Sequence, residues 1–141
     1  MSFLLDTNVV SEWVKPRPDK GVLAWLSEVD EDRVFLSVMT LAELRSGIER
    51  LAAGKRRARL DAWLQEELPL RFEGRLLPID RAVADAWGRI AARGEQVGRP
   101  ISVADALVAA TAEVHELTLV TRNAADFEPA LKAIVNPWID H

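Results

Sequence analysis

The sequence predicts an α/β domain in which a central, mostly parallel sheet is flanked by helices. Three observations predict it. Short apolar runs of strand length recur along the chain, and segments of helical spacing separate them. Each separation is long enough for a helical crossover, which parallel neighbours need. The 141 residues contain no repeat and no long linker, so one domain spanning 1–141 with its own core is expected.

Phe3-Leu4-Leu5 reads as a short buried strand over residues 2–5, followed by a helix through Val9, Val10 and Trp13. Lys15-Pro-Arg-Pro-Asp19 breaks that helix, because proline removes a backbone donor and clashes with the preceding turn. Residues 19–29 have the pattern of a second, amphipathic helix, and Arg33-Val-Phe-Leu-Ser37 is strand-like. Thr40 is expected to open a helix running towards Gly54. The next helix spans Lys55 to Leu68, with Leu60, Trp63, Leu64 and Leu68 at helical spacing. Arg75-Leu-Leu-Pro-Ile79 is a third strand candidate, ending at Asp80, an N-cap for the helix of Val83, Trp87 and Ile90. A helix from Ser102 to His115 precedes the strand Leu117-Thr-Leu-Val-Thr121, and Ala133-Ile-Val135 is a last short strand. In such sheets the reactive crevice lies beyond the carboxyl ends of the strands, where Asp6 and the segment Thr121–Asp126 fall.

Composition narrows the chemistry. There is no cysteine, which excludes disulfides, thiolate catalysis and Cys-ligated zinc. The only histidines are His115 and His141, so a His-rich metal site or a Ser-His-Asp triad has little material. Oxygen ligands remain, and these favour Mg²⁺ or Mn²⁺. A net charge of −4 argues against a general nucleic-acid coat protein but allows local engagement of RNA with a metal supplying positive charge. The sequence has neither an apolar stretch of membrane-spanning length nor the pattern of a signal peptide, so no membrane association and a cytoplasmic location are expected.

Two acids stand out against apolar surroundings. Asp6 follows Phe3-Leu4-Leu5 directly, and Asp105 interrupts Ile101-Ser-Val-Ala-Asp-Ala-Leu-Val-Ala-Ala110. A charge in a core is expensive unless something neutralises it, and two such carboxylates suggest a shared cation. Each also has a structural explanation. Asp6 fits a helix cap, Thr40-Leu-Ala-Glu43 matches a capping box, Ser102-Val-Ala-Asp105 is a shorter version of it, and Asp126 fits a turn. Capping is the weaker explanation for Asp105, whose helix is apolar nearly all round.

Several motifs together resemble a known family. They are Leu4-Leu5-Asp6-Thr7-Asn8-Val9-Val10-Ser11, then Leu36-Ser-Val-Met-Thr-Leu-Ala-Glu43-Leu-Arg-Ser-Gly47, then Leu77-Pro-Ile-Asp80. Ser102-Val-Ala-Asp105-Ala-Leu-Val-Ala-Ala-Thr-Ala112, Leu119-Val-Thr-Arg-Asn-Ala-Ala-Asp126-Phe127 and Val135-Asn-Pro-Trp138 complete the order. This ordered set resembles PIN-domain ribonucleases, especially the VapC/FitB-type toxins of bacterial toxin–antitoxin pairs. The resemblance implies a PIN-like three-layer sandwich and an acidic site of Asp6, Glu43 and Asp105 for Mg²⁺ or Mn²⁺. Asp126 is taken as the fourth acid, with Asn123 or Thr121 as hydrogen-bonding support, although some relatives carry an acid where Asn123 stands.

The implied activity is a metal-dependent endoribonuclease that acts as a toxin. Clustered carboxylates hold one or two divalent ions, which lower the pKa of water and stabilise charge on a phosphodiester undergoing displacement. Asp6 and Asp105 are expected ligands, and Glu43 a ligand or an orienter of the attacking water. The implied partners are an RNA substrate, a cognate antitoxin, a second copy in a homodimer, and DNA only through the antitoxin. An alternative is a weakly catalytic or non-catalytic FitB-like subunit of an antitoxin–toxin complex on DNA. A phosphatase using Asp6 as nucleophile is disfavoured, because Asp6-Thr7-Asn8 lacks the second acid two residues on.

Lesser features have two readings each. Lys55-Arg-Arg-Ala-Arg59 suits RNA phosphates or a solvated helix start, and Arg45 and Arg122 suit substrate contact or carboxylate pairing. His115 suits a helix C-terminus. Trp13 and Trp25 suit the core or a groove for a partner segment.

Overall fold

Five parallel strands in the order β3-β2-β1-β4-β5 form one sheet in the computed structural model, which describes residues 1–139. The strands are β1 (Phe3–Leu5), β2 (Val34–Ser37), β3 (Leu76–Leu77), β4 (Thr118–Val120) and β5 (Ile134–Val135). Helices α1 (Thr7–Val10), α2 (Lys20–Glu28), α3 (Val38–Glu49), α4 (Lys55–Ala62) and α5 (Leu68–Arg71) lie in the first half of the chain. Helices α6 (Arg81–Gln96), α7 (Val103–Val114) and α8 (Ala124–Phe127) follow. His141 lies outside the described residues.

Alternation along β1 divides the molecule into two cores. Leu5 packs with Val9, Val22, Leu44, Ile48, Leu60, Leu64, Leu68 and Phe72, so α1 to α5 cover one face of the sheet. Leu4 faces the other way, onto Val83, Ala86 and Ile90 of α6 and the small-residue face of α7. This is the expected three-layer α/β sandwich. From β1 the chain winds outward to β2 and β3, then returns to the other side of β1 for β4 and β5. The order therefore reverses between β1 and β4, the place where such sheets open a crevice at their carboxyl ends.

Side-chain caps start most of the longer helices. Asp19, Ser37, Asp80 and Ser102 accept from the backbone N–H of Val22, Met39, Val83 and Asp105 at 3.0–3.1 Å. Asp80 and Ser102 cap where the sequence predicts. The Thr40 expectation is corrected: Ser37 caps α3 from the end of β2, and Thr40 is a buried residue within the first turn. The Thr40–Glu43 capping box is therefore not formed, and the Glu43 carboxylate is left for another partner.

The predicted helix from Lys55 to Leu68 continues to Arg71 but widens into a π-helical turn over Trp63–Glu67. Pro69 lies just beyond that turn; its missing N–H and its ring disfavour a regular α-turn, and the wider turn accommodates both. Proline also limits the third strand to Leu76–Leu77, because Pro78 cannot donate to the ladder. No helix of the described residues is long and apolar enough to cross a membrane.

Candidate active site

The register of the two central strands creates the heart of the site. Leu5 pairs with Val120, so Asp6 and Thr121 leave the sheet side by side. The Thr121 hydroxyl, fully buried, donates to Asp6 Oδ2 at 2.7 Å. The backbone N–H of Thr7 donates to Asp6 Oδ1 at 2.9 Å, so Asp6 does cap α1, as its position suggests. Asn8 Nδ2 stands 3.4 Å from Asp6 Oδ2, and Asn8 Oδ1 accepts from the N–H of Arg122 at 3.2 Å. These contacts orient a carboxylate that is only 6% exposed.

Glu43 reaches the same place from α3. The Thr7 hydroxyl donates to Glu43 Oε1 at 2.7 Å, so Thr7 holds Asp6 with its backbone and Glu43 with its side chain. Asp105 is the third residue of α7 and is partly buried. Asp126, in α8, is exposed, and it lines a cavity of about 380 Å³ together with Asp105, Ser102 and Arg99.

Electrostatics link these acids. Burial pushes the Asp6 carboxyl above its ordinary value; Thr121 and Thr7 pull it back, and the charges of Asp105 and Glu43 add to the rise. Burial also raises Asp105, with Ser102 opposing and with Glu43 and Asp126 adding to the effect. The fold thus gathers Asp6, Glu43, Asp105 and Asp126 into one field of mutual repulsion. Among the described residues, no three acids or histidines are drawn together tightly enough to enclose an ion as they stand.

The donor chemistry nevertheless fits a hard divalent cation. The available atoms are carboxylate oxygens without thiolate or imidazole, and a cation among them would offset the cost of burial that chiefly raises Asp6 and Asp105 as well as the smaller repulsion between the acids.

Of the two supporting residues expected from the sequence, Thr121 makes the direct contact. Thr121, through its side chain, is the direct partner of Asp6, while Asn123 contributes its backbone N–H to Thr121 Oγ1 at 3.1 Å. Arg45 pairs with Asp61 at 2.7 Å, an acid outside the site. Arg122 lies over the Trp138 ring at 5.5 Å. Within the basic run at the start of α4, Arg57 pairs with Glu49, while Arg56 and Arg59 border a groove containing Trp13 and Trp63. Trp25 is not in that groove; it meets Phe3 edge-on at 5.1 Å as part of the core. His115 is the C-cap of α7.

Glu12 is a buried acid that the sequence reading passes over. It is 2% exposed, accepts from the N–H of Asp19 at 2.8 Å and pairs with Lys15. The signal was present: an acid within Val9-Val-Ser-Glu-Trp-Val14 meets the criterion that singles out Asp105. It sits in the 3-10 turn Ser11–Val14 that follows α1, and its bonds fasten the proline break to that turn.

Comparison with known proteins places the chain in a family. The PIN domain family matches residues 3–128. The chain is 42% identical to Toxin FitB of Neisseria gonorrhoeae, over 97% of this chain and 99% of that protein. It is 39% identical to VapC ribonuclease Y4jK of Sinorhizobium fredii, over 96% of each. A chain in the structure of FitAB bound to an IR36 DNA fragment superposes with a TM-score of 0.91 at 39% identity, covering 96% of this chain and 95% of that one.

Proposed function

This chain belongs to the PIN domain family, and on that premise we propose that it is a metal-dependent endoribonuclease acting as the toxin of a toxin–antitoxin pair. One observation carries the proposal. The buried Asp6 is held by Thr121 and Thr7 at the switch point of the sheet, within the field of Asp105 and Glu43. A ribonuclease among the relatives supports the choice of RNA as substrate.

Asp6, Asp105 and Glu43 would hold Mg²⁺ or Mn²⁺, with Asp126 completing the acidic rim. The cation, when bound, supplies charge neutralisation at the phosphodiester and acidifies attacking water. The protein contributes orientation. Thr121 and the Thr7 N–H fix both oxygens of Asp6, which leaves the carboxylate little rotational freedom. Thr7 fixes one oxygen of Glu43 and leaves the other to accept a proton or to align water. Asp105 projects from a helix whose other face is packed into the core, so its direction is set by the backbone.

Purified protein is expected to cut single-stranded RNA when Mg²⁺ or Mn²⁺ is supplied. A chelator and Asp6→Asn should each abolish cutting, and activity that survives both would refute the metal mechanism. The reading includes a cytoplasmic homodimer and a cognate antitoxin that covers the site. DNA contact would run through that antitoxin alone, which the FitAB complex on DNA supports. The likeness to FitB also favours a second reading, in which the DNA-bound complex is the main output and cutting is weak. A correctly folded, metal-binding protein that cuts no RNA and arrests no growth would favour that reading.

A further inference from the structure

On the acidic side of the crevice, one cation is in place that pairs with no acid among the described residues. Among the described residues, Arg99 is the only positively charged one that lines the cavity shared by Asp105 and Asp126. It forms no ion pair among the described residues, although two carboxylates border the same space. Lys15 pairs with Glu12, Arg45 with Asp61, and Arg122 lies over the Trp138 ring; Arg56 is also without an ion pair among the described residues, but it lines a separate cavity with Thr7 and Glu43.

The chain around Arg99 is held at several points. The N–H of Arg99 donates to Gly94 O at 2.8 Å, and that of Gly98 to Glu95 O at 3.2 Å. With Gly98 at φ +72°, this is a Schellman ending for α6. A β-carbon on Gly94 would stand 2.8 Å from the Arg99 carbonyl oxygen, so the approach is closer than any other residue permits. Pro100 stiffens the following link. At the far end, Arg99 Nη2 donates to Ala125 O at 3.1 Å, which aims the guanidinium across the mouth of the cavity towards α8. One N–H is used in this tether; the planar fork has five.

Resting on the ribonuclease reading, we propose that Arg99 binds a backbone phosphate of the RNA next to the one cut at the acidic site. A guanidinium suits this role because its fork matches two phosphate oxygens at once. It also provides local positive charge where a polyanion must approach carboxylates in a protein of net charge −4. Its lack of a carboxylate partner within ion-pair distance leaves it available for that contact.

The test uses a fluorescein-labelled single-stranded oligoribonucleotide of mixed sequence. Binding is read by anisotropy on an Asp6→Asn background, across a series of salt concentrations, and cutting is read with Mn²⁺ on the otherwise unsubstituted chain. Arg99→Gln removes the charge but keeps an amide donor for Ala125 O. It should raise KM by about tenfold or more with kcat little changed, as expected for a lost charge-assisted hydrogen bond. The slope of log affinity against log salt should become shallower by about 0.7, the signature of one lost phosphate contact on a single strand. Arg99→Lys should keep the slope and show an intermediate KM, and Arg89→Gln, at a residue of α6 that pairs with Asp85 and Glu113 and does not line the cavity, should change neither. If Arg99→Gln lowers the melting temperature while KM and salt slope stay put, Arg99 is only a tether and the proposal fails. If the unsubstituted chain cuts no RNA at all, the ribonuclease reading falls and takes this one with it; cutting that is indifferent to Arg99 overturns this one alone.

Discussion

Thr121 and Asp6 are 115 residues apart in sequence, yet their 2.7 Å hydrogen bond is the shortest route by which the fold controls the site. The hydroxyl is buried, so no water can take its place at Asp6 Oδ2. Thr121→Val keeps the shape of the side chain and deletes that donor. It should lower activity or Mn²⁺ affinity by about 10- to 100-fold, the usual effect of losing a partner that orients a metal-binding group. Thr121→Ser should restore most of the loss, which a titration of activity against Mn²⁺ would measure. The burial of Asp6 was legible in the sequence because a charge directly after an apolar strand falls at the edge of the core, although its cap on α1 was an equally good explanation of it. Glu12 was as legible by the same criterion but serves the scaffold, so the criterion finds buried acids without telling their purpose. The partner of Glu43 was not legible, since it depends on which helix face turns towards Thr7.

Elements were legible where their limits are set by local chemistry, as with the caps at Asp80 and Ser102. They were less so where neighbouring packing decides. Ser37 takes the cap of α3 because β2 passes straight into the helix, leaving Thr40 to be buried. The π-helical turn before Pro69 lies inside an unbroken apolar spacing and could not be seen from periodicity. Helix α6 allows a sharp test of where glycine is required. Nothing lies within 4 Å of a β-carbon on Gly88, so Gly88→Ala should stabilise the protein by about 0.8–1 kcal/mol through helix propensity. Gly94→Ala, in the same helix, drives its methyl into the Arg99 carbonyl oxygen and should destabilise by about 1–3 kcal/mol. Urea midpoints of the two variants should therefore move in opposite directions. A shift of Gly94→Ala in the stabilising direction would show that the Arg99 loop yields easily.

At the scale of the whole molecule, the acidic crevice is a burden on the fold as well as its purpose. Asp105 has a raised pKa, so the folded protein keeps that proton after the unfolded chain has released it. Its contribution to stability is full below the ordinary value of 3.8 and is lost as pH rises through the raised one. In chelator, Asp105→Asn should therefore melt with the parent at low pH and above it at neutral pH. Added Mn²⁺ should raise the parent's melting temperature and do less for the variant, because binding to the folded state alone stabilises it. Melting curves across pH would check both, and a variant that melts below the parent at neutral pH would contradict the sign. The strand order carries one more consequence. Asp6 and Glu43 are synthesised before Asp105 and Thr121, which come from the opposite flank of β1. A nascent chain that has reached only α3 owns Asp6 and Glu43 with the Thr7 hydroxyl between them, but lacks Asp105 and the Thr121 hydroxyl that holds Asp6. On the proposed reading the site is complete only once β4 pairs with β1, so partial chains that stop short of β4 should not cut RNA.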